Sequence, residues 1–218
     1  MKEYHKIDTV FKRDPATKHK TLIVGEYAQD AFGYLANNEW VFTEKVDGTN
    51  IRVMCGPQDG TTYGIKFGGK TEAAQIPATL VDRLRERFLS QEERIREILP
   101  DGGCLYGEGY GAKIQSGGNY RKDQDFVLFD VKVGDWWLQR DAVEDVASKL
   151  GLDVVPIIGR GTLPEMVERG RTGFVSTWAS NGGAFMAEGI VARPSVELKS
   201  RSGHRIITKI KHRDFQPC

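Results

Sequence analysis

Three short stretches of the sequence place glycines beside charged residues in spacings that could bind the phosphates of a nucleotide. Residues 64–71 match the pattern GxxxxGK[ST], and residues 107–112 match GxGxx[GA]. Both patterns would cradle phosphates with backbone N–H groups. Residues 44–50 read Glu-Lys-Val-Asp-Gly-Thr-Asn, which sets a lysine and Asp-Gly between two apolar runs.

The pattern at residues 64–71 proposes a P-loop NTPase, with Asp130 at the end of an apolar run as the acid that helps to hold magnesium. A phosphate loop needs a buried apolar strand before it and a helix after it. The preceding residues 56–63 are typical of a hairpin turn, and Pro77 interrupts the following segment. Both flanks argue against a P-loop NTPase, which we keep as an alternative.

Residues 107–112 fit a dinucleotide-binding loop only loosely. Glu108 would stand where a pyrophosphate lies, and like charges there would repel. Glycines in this arrangement are also typical of a bulge or tight turn that closes a strand. We therefore expect a strand end here.

The stretch around Lys45 is, by itself, typical of a surface hairpin turn. Four further motifs follow it in order: Leu105-Tyr-Gly-Glu108-Gly, Leu128-Phe-Asp130, Glu188-Gly-Ile-Val-Ala-Arg193 and Ile207-Thr-Lys-Ile-Lys211. Together the five motifs, within residues 41–215, resemble those of the covalent nucleotidyltransferases. This superfamily contains the ATP-dependent polynucleotide ligases and the messenger-RNA capping enzymes.

The sixth residue of the lysine motif indicates the branch of the superfamily. DNA ligases and capping enzymes usually have K-x-D-G-x-R, whereas Asn50 in this chain resembles the nick-sealing branch of RNA ligases. Residues 68–77 also resemble the segment that follows in phage-type RNA ligases, with Lys70 where an arginine is expected. Lysine keeps the charge and loses the bidentate fork. The resemblance implies an ATP-dependent RNA ligase with an α+β, ATP-grasp-like nucleotidyltransferase fold.

In such enzymes a lysine attacks the α-phosphate of ATP, AMP passes to a 5′-phosphate end, and a 3′-hydroxyl displaces it. The resemblance implies Lys45 as the nucleophile and ATP with Mg²⁺ (or Mn²⁺) as cofactors. The nucleic-acid partner of such an enzyme would be RNA or an RNA-containing nicked duplex with 5′-phosphate and 3′-hydroxyl ends. A minimal DNA ligase and a non-catalytic nucleic-acid-binding module stay as alternatives.

The resemblance also implies a role for each matching position. The implied catalytic residues are Lys45, Asp47, Lys209 and Lys211. The implied nucleotide-binding residues are Glu44, Lys45, Asn50, Lys70, Glu108, Phe129, Glu188, Lys209 and Lys211. Among them Glu108 would bond the ribose hydroxyls, Phe129 would stack on adenine and Glu188 would hold the metal. Without the resemblance, Phe129 would be assigned to the core and both acids to the surface.

Lys209 and Lys211 are two residues apart, so a strand would place both on one face. Two ammonium groups could then neutralise a triphosphate, although alternating lysines also protect exposed edge strands. A lysine attacks only as the neutral amine. Lowering its pKa from about 10.4 toward 7 requires roughly 4 to 5 kcal/mol of differential stabilisation, part of which nearby like charges would supply.

Strands and helices must position these residues. Apolar runs predict strands near residues 41–46, 50–55, 104–108, 125–133, 153–158, 189–193 and 205–212. Leu80, Leu84 and Phe88 recur at helical spacing, and capping signals predict helices after Ser90, from about Asp141 and after Thr162. Strands 41–46 and 50–55 are expected to pair. The order of elements predicts an α+β fold with largely antiparallel sheets flanked by helices.

Length and composition predict one globular domain. The chain has 218 residues with 39% hydrophobic and 28% charged residues. We expect a single adenylyltransferase domain over residues 1–218, with no C-terminal OB or nick-binding domain after Lys211. A monomer is expected. No apolar window is long enough for a membrane span, and the N-terminus lacks the apolar core of a secretory signal, so a cytoplasmic location is expected.

The charge is balanced, with 31 basic and 30 acidic residues. A nucleic-acid partner would therefore need a local basic patch. Such a patch is predicted at residues 199–213, which contain eight basic residues before the single acid Asp214. The cysteines Cys55, Cys104 and Cys218 form no CxxC pair and are expected to be free thiols.

Overall fold

A computed structural model describes residues 3–58, 62–179 and 184–216. The strands are β1 (Asp8–Thr9), β2 (Phe11–Arg13), β3 (Leu22–Tyr27), β4 (Trp40–Lys45), β5 (Thr49–Pro57), β6 (Tyr63–Gly68), β7 (Gly103–Gly111), β8 (Gln124–Val133), β9 (Trp136–Trp137), β10 (Ile157–Gly161), β11 (Gly189–Pro194) and β12 (Thr208–Lys211). The helices are α1 (Asp30–Tyr34), α2 (Ala78–Leu89), α3 (Glu92–Ile98), α4 (Arg140–Leu150) and α5 (Leu163–Thr172). The predicted α+β class with mainly antiparallel sheets is confirmed. No helix in this described part is long and apolar enough to cross a membrane.

The chain folds into two compact units. Of the described residues, unit 1 holds residues 3–5, 47–58 and 62–155, and unit 2 holds residues 6–46, 156–179 and 184–216. Two compact units of one chain can still act as one functional domain, so the single adenylyltransferase domain stays a prediction.

Unit 1 is built on a five-stranded antiparallel sheet in the order β6-β5-β7-β8-β9. Helices α2, α3 and α4 contribute the apolar side chains that cover one face of this sheet, among them Leu84 and Phe88. Alternate residues of β5, such as Ile51 and Val53, point into this core. The residues that alternate with them, including Asn50, therefore lie on the opposite face of the sheet.

Strand β8 changes its alternation at Phe129. Phe126, Leu128 and Val131 all belong to the core of unit 1, so the spacing of core residues changes from two to three. The pairing with β7 shifts at the same place, because Tyr106 pairs with Asp130 and Gly107 pairs with Leu128. Phe129 is therefore the extra residue of a β-bulge, a feature that redirects side chains locally.

Unit 2 is built on the sheet β1-β12-β11-β4-β10 and a separate β2–β3 hairpin. Strand β1 is parallel to β12, and the other pairs in the sheet are antiparallel. Core residues on one face of the sheet include Phe42, Ile190 and Ile210, which cluster with Leu163 and Met166 of α5. The opposite face of β4, β11 and β12 carries Lys45, Lys209 and Lys211, together with Thr43, Val41 and Val191.

The predicted pairing of strands 41–46 and 50–55 is wrong. β4 pairs with β10 and β11, whereas β5 pairs with β6 and β7. A tight hairpin at Asp-Gly needs positive φ angles, and Gly48 has none. Glycine is needed here for another reason: a Cβ on Gly48 would lie 2.2 Å from the carbonyl oxygen of Gly109.

Both phosphate-loop patterns begin within strands. The P-loop alternative is wrong, because Tyr63–Gly68 is strand β6, paired with β5, and the next helix begins only at Ala78. The glycines of residues 107–111 lie in β7, in agreement with the expected strand.

Two predicted strands are shorter than expected. Pro156, which has no N–H to donate, divides residues 153–158: Val154 bridges to Leu128, and β10 begins only at Ile157. In residues 205–212, only Thr208–Lys211 pair as a strand.

The helix signals were mostly correct. Thr162 caps α5 through a complete capping box with Glu165, and Gly151 ends α4 in a left-handed conformation. Ser90, however, does not cap α3, because its hydroxyl donates to the Glu86 carbonyl.

The cysteines of the described residues are free. Cys55 and Cys104 are buried and form no disulfide, as expected. Cys218 lies outside the described residues, so the prediction for its thiol stays a prediction.

Candidate active site

Strand β11 places two of the predicted lysines at one level of the sheet of unit 2. Gly189 pairs with Lys45 of β4 on one side and with Lys211 of β12 on the other. Directly paired residues point to the same face of a sheet. A side chain at position 189 would be excluded, since its Cβ would lie 2.1 Å from the carbonyl oxygen of Ile210. The sheet therefore presents two lysines with no side chain between them.

Glu188, the residue before this glycine, joins the two lysines. Lys45 Nζ lies 2.6 Å from Glu188 Oε2, and Lys211 Nζ lies 2.5 Å from Glu188 Oε1. The three side chains are between 10% and 20% exposed, so solvent screens these charge-assisted contacts only partly. One carboxylate thus orients two ammonium groups from strands that are far apart in the chain.

Lys209 lies on the same face of the sheet as Lys211, as the two-residue spacing predicts. It pairs with Val191 of β11, which in turn pairs with Thr43 of β4. Three lysines against one carboxylate give this face a net positive charge. Such a surface attracts phosphate groups.

Glu44 points to the opposite side of β4 from Lys45. Its side chain is buried. The carboxylate accepts hydrogen bonds from the backbone N–H and the hydroxyl of Thr177, both at 2.8 Å, and from the hydroxyl of Ser176. No sequence motif indicated Ser176 and Thr177, which hold this acid in place. The predicted nucleotide contact of Glu44 stays a prediction.

In unit 1, Asn50 and Glu108 lie directly opposite each other on β5 and β7. Both belong to the face that the helices leave uncovered. The Asn50 Oδ1 atom is buried and has no hydrogen-bond partner among the described residues. Because a buried acceptor without a donor is costly, this atom marks a position where a bound molecule could donate.

Asp47 stands at the start of unit 1 and is held from two sides. Its carboxylate accepts a hydrogen bond from the Ser116 backbone N–H at 3.2 Å, and its own N–H donates to the Tyr120 hydroxyl at 3.1 Å. Tyr120 is buried, and it was not singled out in the sequence. These contacts fix the backbone within the lysine motif, two residues after Lys45.

Phe129 occupies the bulge of β8 and is only partly buried. Its ring meets the ring of Tyr4 edge-on, with 5.1 Å between the centroids. The Tyr4 hydroxyl donates a hydrogen bond to Asp130 at 2.6 Å, and this bond holds the Tyr4 ring in its place beside Phe129. Phe129 is thus not a fully enclosed core residue, and its stacking on adenine stays a prediction.

Lys70 is exposed just after β6. The buried cation of this region is Arg52, which donates to the Gly69 carbonyl at 2.8 Å and pairs with Glu72 at 2.9 Å. Sequence reasoning missed Arg52. The sequence signal that could have identified it is the position of an arginine within the apolar run 51–55. A charged residue is rarely buried without partners, so such an arginine is expected to form specific contacts.

A divalent cation would find few protein ligands here. The described residues contain no group of three or more His, Cys, Asp or Glu side chains that could hold a metal. Mg²⁺ commonly binds one or two carboxylates and completes its shell with water and substrate phosphates. The single carboxylate of Glu188 on a phosphate-attracting face fits that mode of binding.

The predicted site residues divide between the units. Unit 2 holds Glu44, Lys45, Glu188, Lys209 and Lys211, and its structure brings Lys45, Glu188 and Lys211 into contact. Unit 1 holds Asp47, Asn50, Lys70, Glu108 and Phe129, of which Asn50 and Glu108 are neighbours.

The fold is similar to that of solved RNA ligase structures from Naegleria gruberi. An apo mutant matches with a TM-score of 0.62 and 16% identity, over 98% of this chain and 58% of that chain. A mutant described as bound to ATP and Mn matches with a TM-score of 0.62 and 19% identity, over 84% and 52%. The form described with PPi gives a TM-score of 0.59 and 18% identity, over 96% and 57%. This chain thus spans just over half the length of these proteins.

The similarity in sequence extends over the motifs that the structure places on the two units. The family model described as RNA ligase matches residues 38–211, which include Lys45 at one end and Lys211 at the other. The match covers most of the chain, and the five motifs occur within it in order. By this match, the chain belongs to the RNA ligase family.

Proposed function

We propose that this chain is an ATP-dependent RNA ligase that works through a covalent lysyl-AMP intermediate. The observation that carries the proposal is the contact of Lys45 and Lys211 with the two oxygens of Glu188. The contact joins the proposed nucleophile, a second cation and the proposed metal ligand. Membership of the RNA ligase family supports the same activity.

In the first step the neutral Lys45 amine attacks the α-phosphorus of ATP. A phosphorus–nitrogen bond forms, the bond between the α-phosphorus and the bridging oxygen breaks, and pyrophosphate leaves. Lys209 and Lys211 bind the phosphates and stabilise the negative charge that shifts to the leaving group. Lys45 must leave its ion pair with Glu188 before it can act as a nucleophile.

Glu188 would hold the divalent cation, Mg²⁺ or Mn²⁺. When bound, this cation polarises the phosphates and adds positive charge near the transferred group. For Glu108 we propose hydrogen bonds to the ribose hydroxyls, and for Phe129 stacking on adenine. Asp47, Asn50, Lys70 and Glu44 are proposed to position the nucleotide. The proposed role of Asn50 rests on a specific observation, because its buried Oδ1 has no hydrogen-bond donor among the described residues.

In the later steps AMP passes from Lys45 to a 5′-phosphate end, forming a 5′–5′ pyrophosphate linkage and freeing the amine. A 3′-hydroxyl then attacks that 5′-phosphate, the phosphodiester forms and AMP leaves. Overall, ATP is converted to AMP and pyrophosphate. The polynucleotide partner is RNA or an RNA-containing nicked duplex.

The first experiment measures transfer of label from α-³²P-ATP to the protein with Mg²⁺. The wild type should acquire a covalently bound label that survives a denaturing gel and alkali but is released by acid, as expected of a phosphorus–nitrogen bond. Lys45→Ala should acquire none, because no other group replaces the attacking amine. Lys70→Ala is the matched control. Lys70 is exposed, so its loss should only weaken labelling.

Two outcomes would contradict the proposal. Equal labelling of Lys45→Ala and wild type would place the nucleophile elsewhere. A folded wild type that acquires no label would favour the alternative of a nucleic-acid-binding module without catalysis. Circular dichroism spectra of each variant check that the fold is retained.

A further inference from the structure

A groove in unit 2 extends beyond the lysines of the candidate active site. Its volume is about 810 Å³, and its walls come from three separate segments: the residues around β1, the β2–β3 hairpin and the C-terminal end of β12. Lys209 and Lys211 line one part of it. The groove is therefore continuous with the face that carries Lys45 and Glu188.

The lining of this groove is strongly basic. Seven lysines and arginines and one histidine line it, against two aspartates. Asp214 accepts from Arg13 at 2.8 Å and from the Lys211 backbone N–H at 3.1 Å. Asp8 accepts from Gln29 at 2.8 Å. Both acids thus have structural partners. Lys12 pairs with Glu26 and Lys211 with Glu188, and the groove still keeps an excess of positive charge.

The tip of the β2–β3 hairpin is held in a fixed conformation toward this groove. Lys18 and His19 have φ angles of 55° and 60°, which non-glycine residues adopt rarely. The Arg13 guanidinium donates to the carbonyls of His19 and Lys20, at 3.3 and 3.2 Å. Arg13 therefore joins the tip of the hairpin to Asp214 at the end of β12.

Two cations of the groove stand out. Lys20 and Arg213 are exposed, and neither forms an ion pair with any other described residue. They come from opposite ends of the chain, on the hairpin tip and just after β12. An exposed cation without an acidic partner can bind a phosphate without first breaking an ion pair.

We propose that this groove binds the phosphodiester backbone of the polynucleotide whose end reacts at Lys45. The inference rests on the proposed ligase function and adds a binding surface to it. A nucleotide needs cations only near its own phosphates, whereas these extend over three segments away from Lys209 and Lys211. A single strand carries one phosphate per nucleotide, so cations on several segments of one groove can contact several phosphates of the same strand.

The groove is suited to the backbone and not to the bases. Its one Phe, Tyr or Trp lining residue, Phe11, is only 5% exposed and so forms the floor, which leaves the His19 imidazole as the one exposed ring among its lining residues. Stacking on bases needs exposed rings. We therefore expect binding that depends on salt and is nearly independent of sequence.

The test compares two double variants that lose the same charge. Lys20→Ala/Arg213→Ala removes two cations of the groove. Lys149→Ala/Arg94→Ala removes a lysine and an arginine from the surfaces of α4 and α3 in unit 1. Binding of a 3′-fluorescein, 5′-phosphate single-stranded RNA is followed by anisotropy over a range of salt concentrations. Self-adenylylation with ATP is measured on the same preparations.

The groove variant should bind the RNA more weakly, and its slope of log affinity against log salt should be smaller by about 1.4, at roughly 0.7 for each lost phosphate contact. Its self-adenylylation should stay within about twofold of wild type, and the control should match wild type in both assays. Retained adenylylation also shows that the variant is folded. If wild type acquires no label but binds RNA with a larger salt slope than the groove variant, the proposed function fails while the phosphate contacts of the groove stand.

Three results would overturn the proposal. Equal salt slopes for the two double variants would mean that the groove makes no phosphate contacts. A weaker affinity for ATP in the groove variant alone would assign the groove to the triphosphate of the nucleotide. Absence of RNA binding by the wild type would show that the groove does not bind a polynucleotide.

Discussion

Lys45 Nζ lies 2.6 Å from Glu188 Oε2, although 143 residues separate the two in the chain. Strand β11 makes this contact possible, because it runs between β4 and β12 and places Gly189 level with both lysines. The contact pairs the proposed nucleophile with the proposed metal ligand. A change at Glu188 should therefore alter two properties at once, the orientation of Lys45 and the dependence on divalent cation.

We expect Glu188→Gln to lower the rate of self-adenylylation by roughly 10²-fold or more, because the amide loses the charge that orients both lysines and holds the cation. The Mg²⁺ concentration for half-maximal rate should rise. Rates of label transfer over a Mg²⁺ titration measure both effects. The control is Glu197→Gln, which removes a carboxylate from the ion pair with Arg205 in the same unit. An unchanged Mg²⁺ dependence of Glu188→Gln would exclude Glu188 as the metal ligand.

We expect a strong preference for ATP over GTP and a contribution of Phe129 to nucleotide affinity. Stacking on an aromatic ring contributes about 1–3 kcal/mol, so Phe129→Leu should raise the KM for ATP roughly 5- to 150-fold. The discrimination between purines must come from hydrogen bonds to the purine edge. Adduct yields with each nucleotide measure the preference. Trp136→Leu, at an exposed aromatic residue of unit 1, is the control, and equal yields with ATP and GTP would contradict the prediction.

A nick with an RNA 3′-hydroxyl end should be sealed faster than the all-DNA nick. The basis of this prediction is Asn50, which occupies the position where DNA ligases usually have arginine. Sealing rates on the two nicks are compared, also with pre-adenylylated 5′ ends that isolate the bond-forming step. Faster sealing of the all-DNA nick would favour a minimal DNA ligase. Adduct formation without any sealing would show that further protein is required for joining.

Sealing should decrease steeply with salt, while self-adenylylation, which needs no polynucleotide, should decrease less. The structure refines the predicted basic patch at residues 199–213. Arg205 is buried and donates to Glu197 at 2.9 Å, so it is not available to a polynucleotide. Rates of both reactions over a salt series test the difference. Equal salt dependence would argue against a phosphate-binding surface.

The two buried thiols should be unreactive in the folded protein. Burial raises the pKa of Cys55 from 9.0 to about 12 and the pKa of Cys104 to about 11. Alkylation needs the thiolate, so iodoacetamide at pH 8 should modify neither residue until urea unfolds the chain. Peptide mass spectrometry locates the label. Because both pKa values are higher in the folded state, stability should decrease as the pH rises above about 9. Rapid labelling of Cys55 or Cys104 in folded protein would contradict their burial.

The sequence by itself determined much of this protein. The order of the five motifs predicted the superfamily, and the asparagine of the first motif predicted the RNA ligase branch. Local sequence patterns were sufficient to predict elements that depend on neighbouring residues of the chain, such as α2 with its buried Leu80, Leu84 and Phe88. The two-residue spacing of Lys209 and Lys211 predicted their shared face, because side-chain alternation is a property of the strand itself.

Only the tertiary structure decided which strands are neighbours. The Asp-Gly after Lys45 favoured a hairpin, but Gly48 packs against the backbone of β7, and β4 pairs with β10 and β11. Pairing depends on contacts between residues far apart in the chain, which no local pattern encodes. The same reason applies to the contacts of Glu188 with Lys45 and Lys211, and to Arg13, which reaches Asp214 across 201 residues. Residue types thus predicted the chemistry, and the register of β4, β11 and β12 brought the charges together.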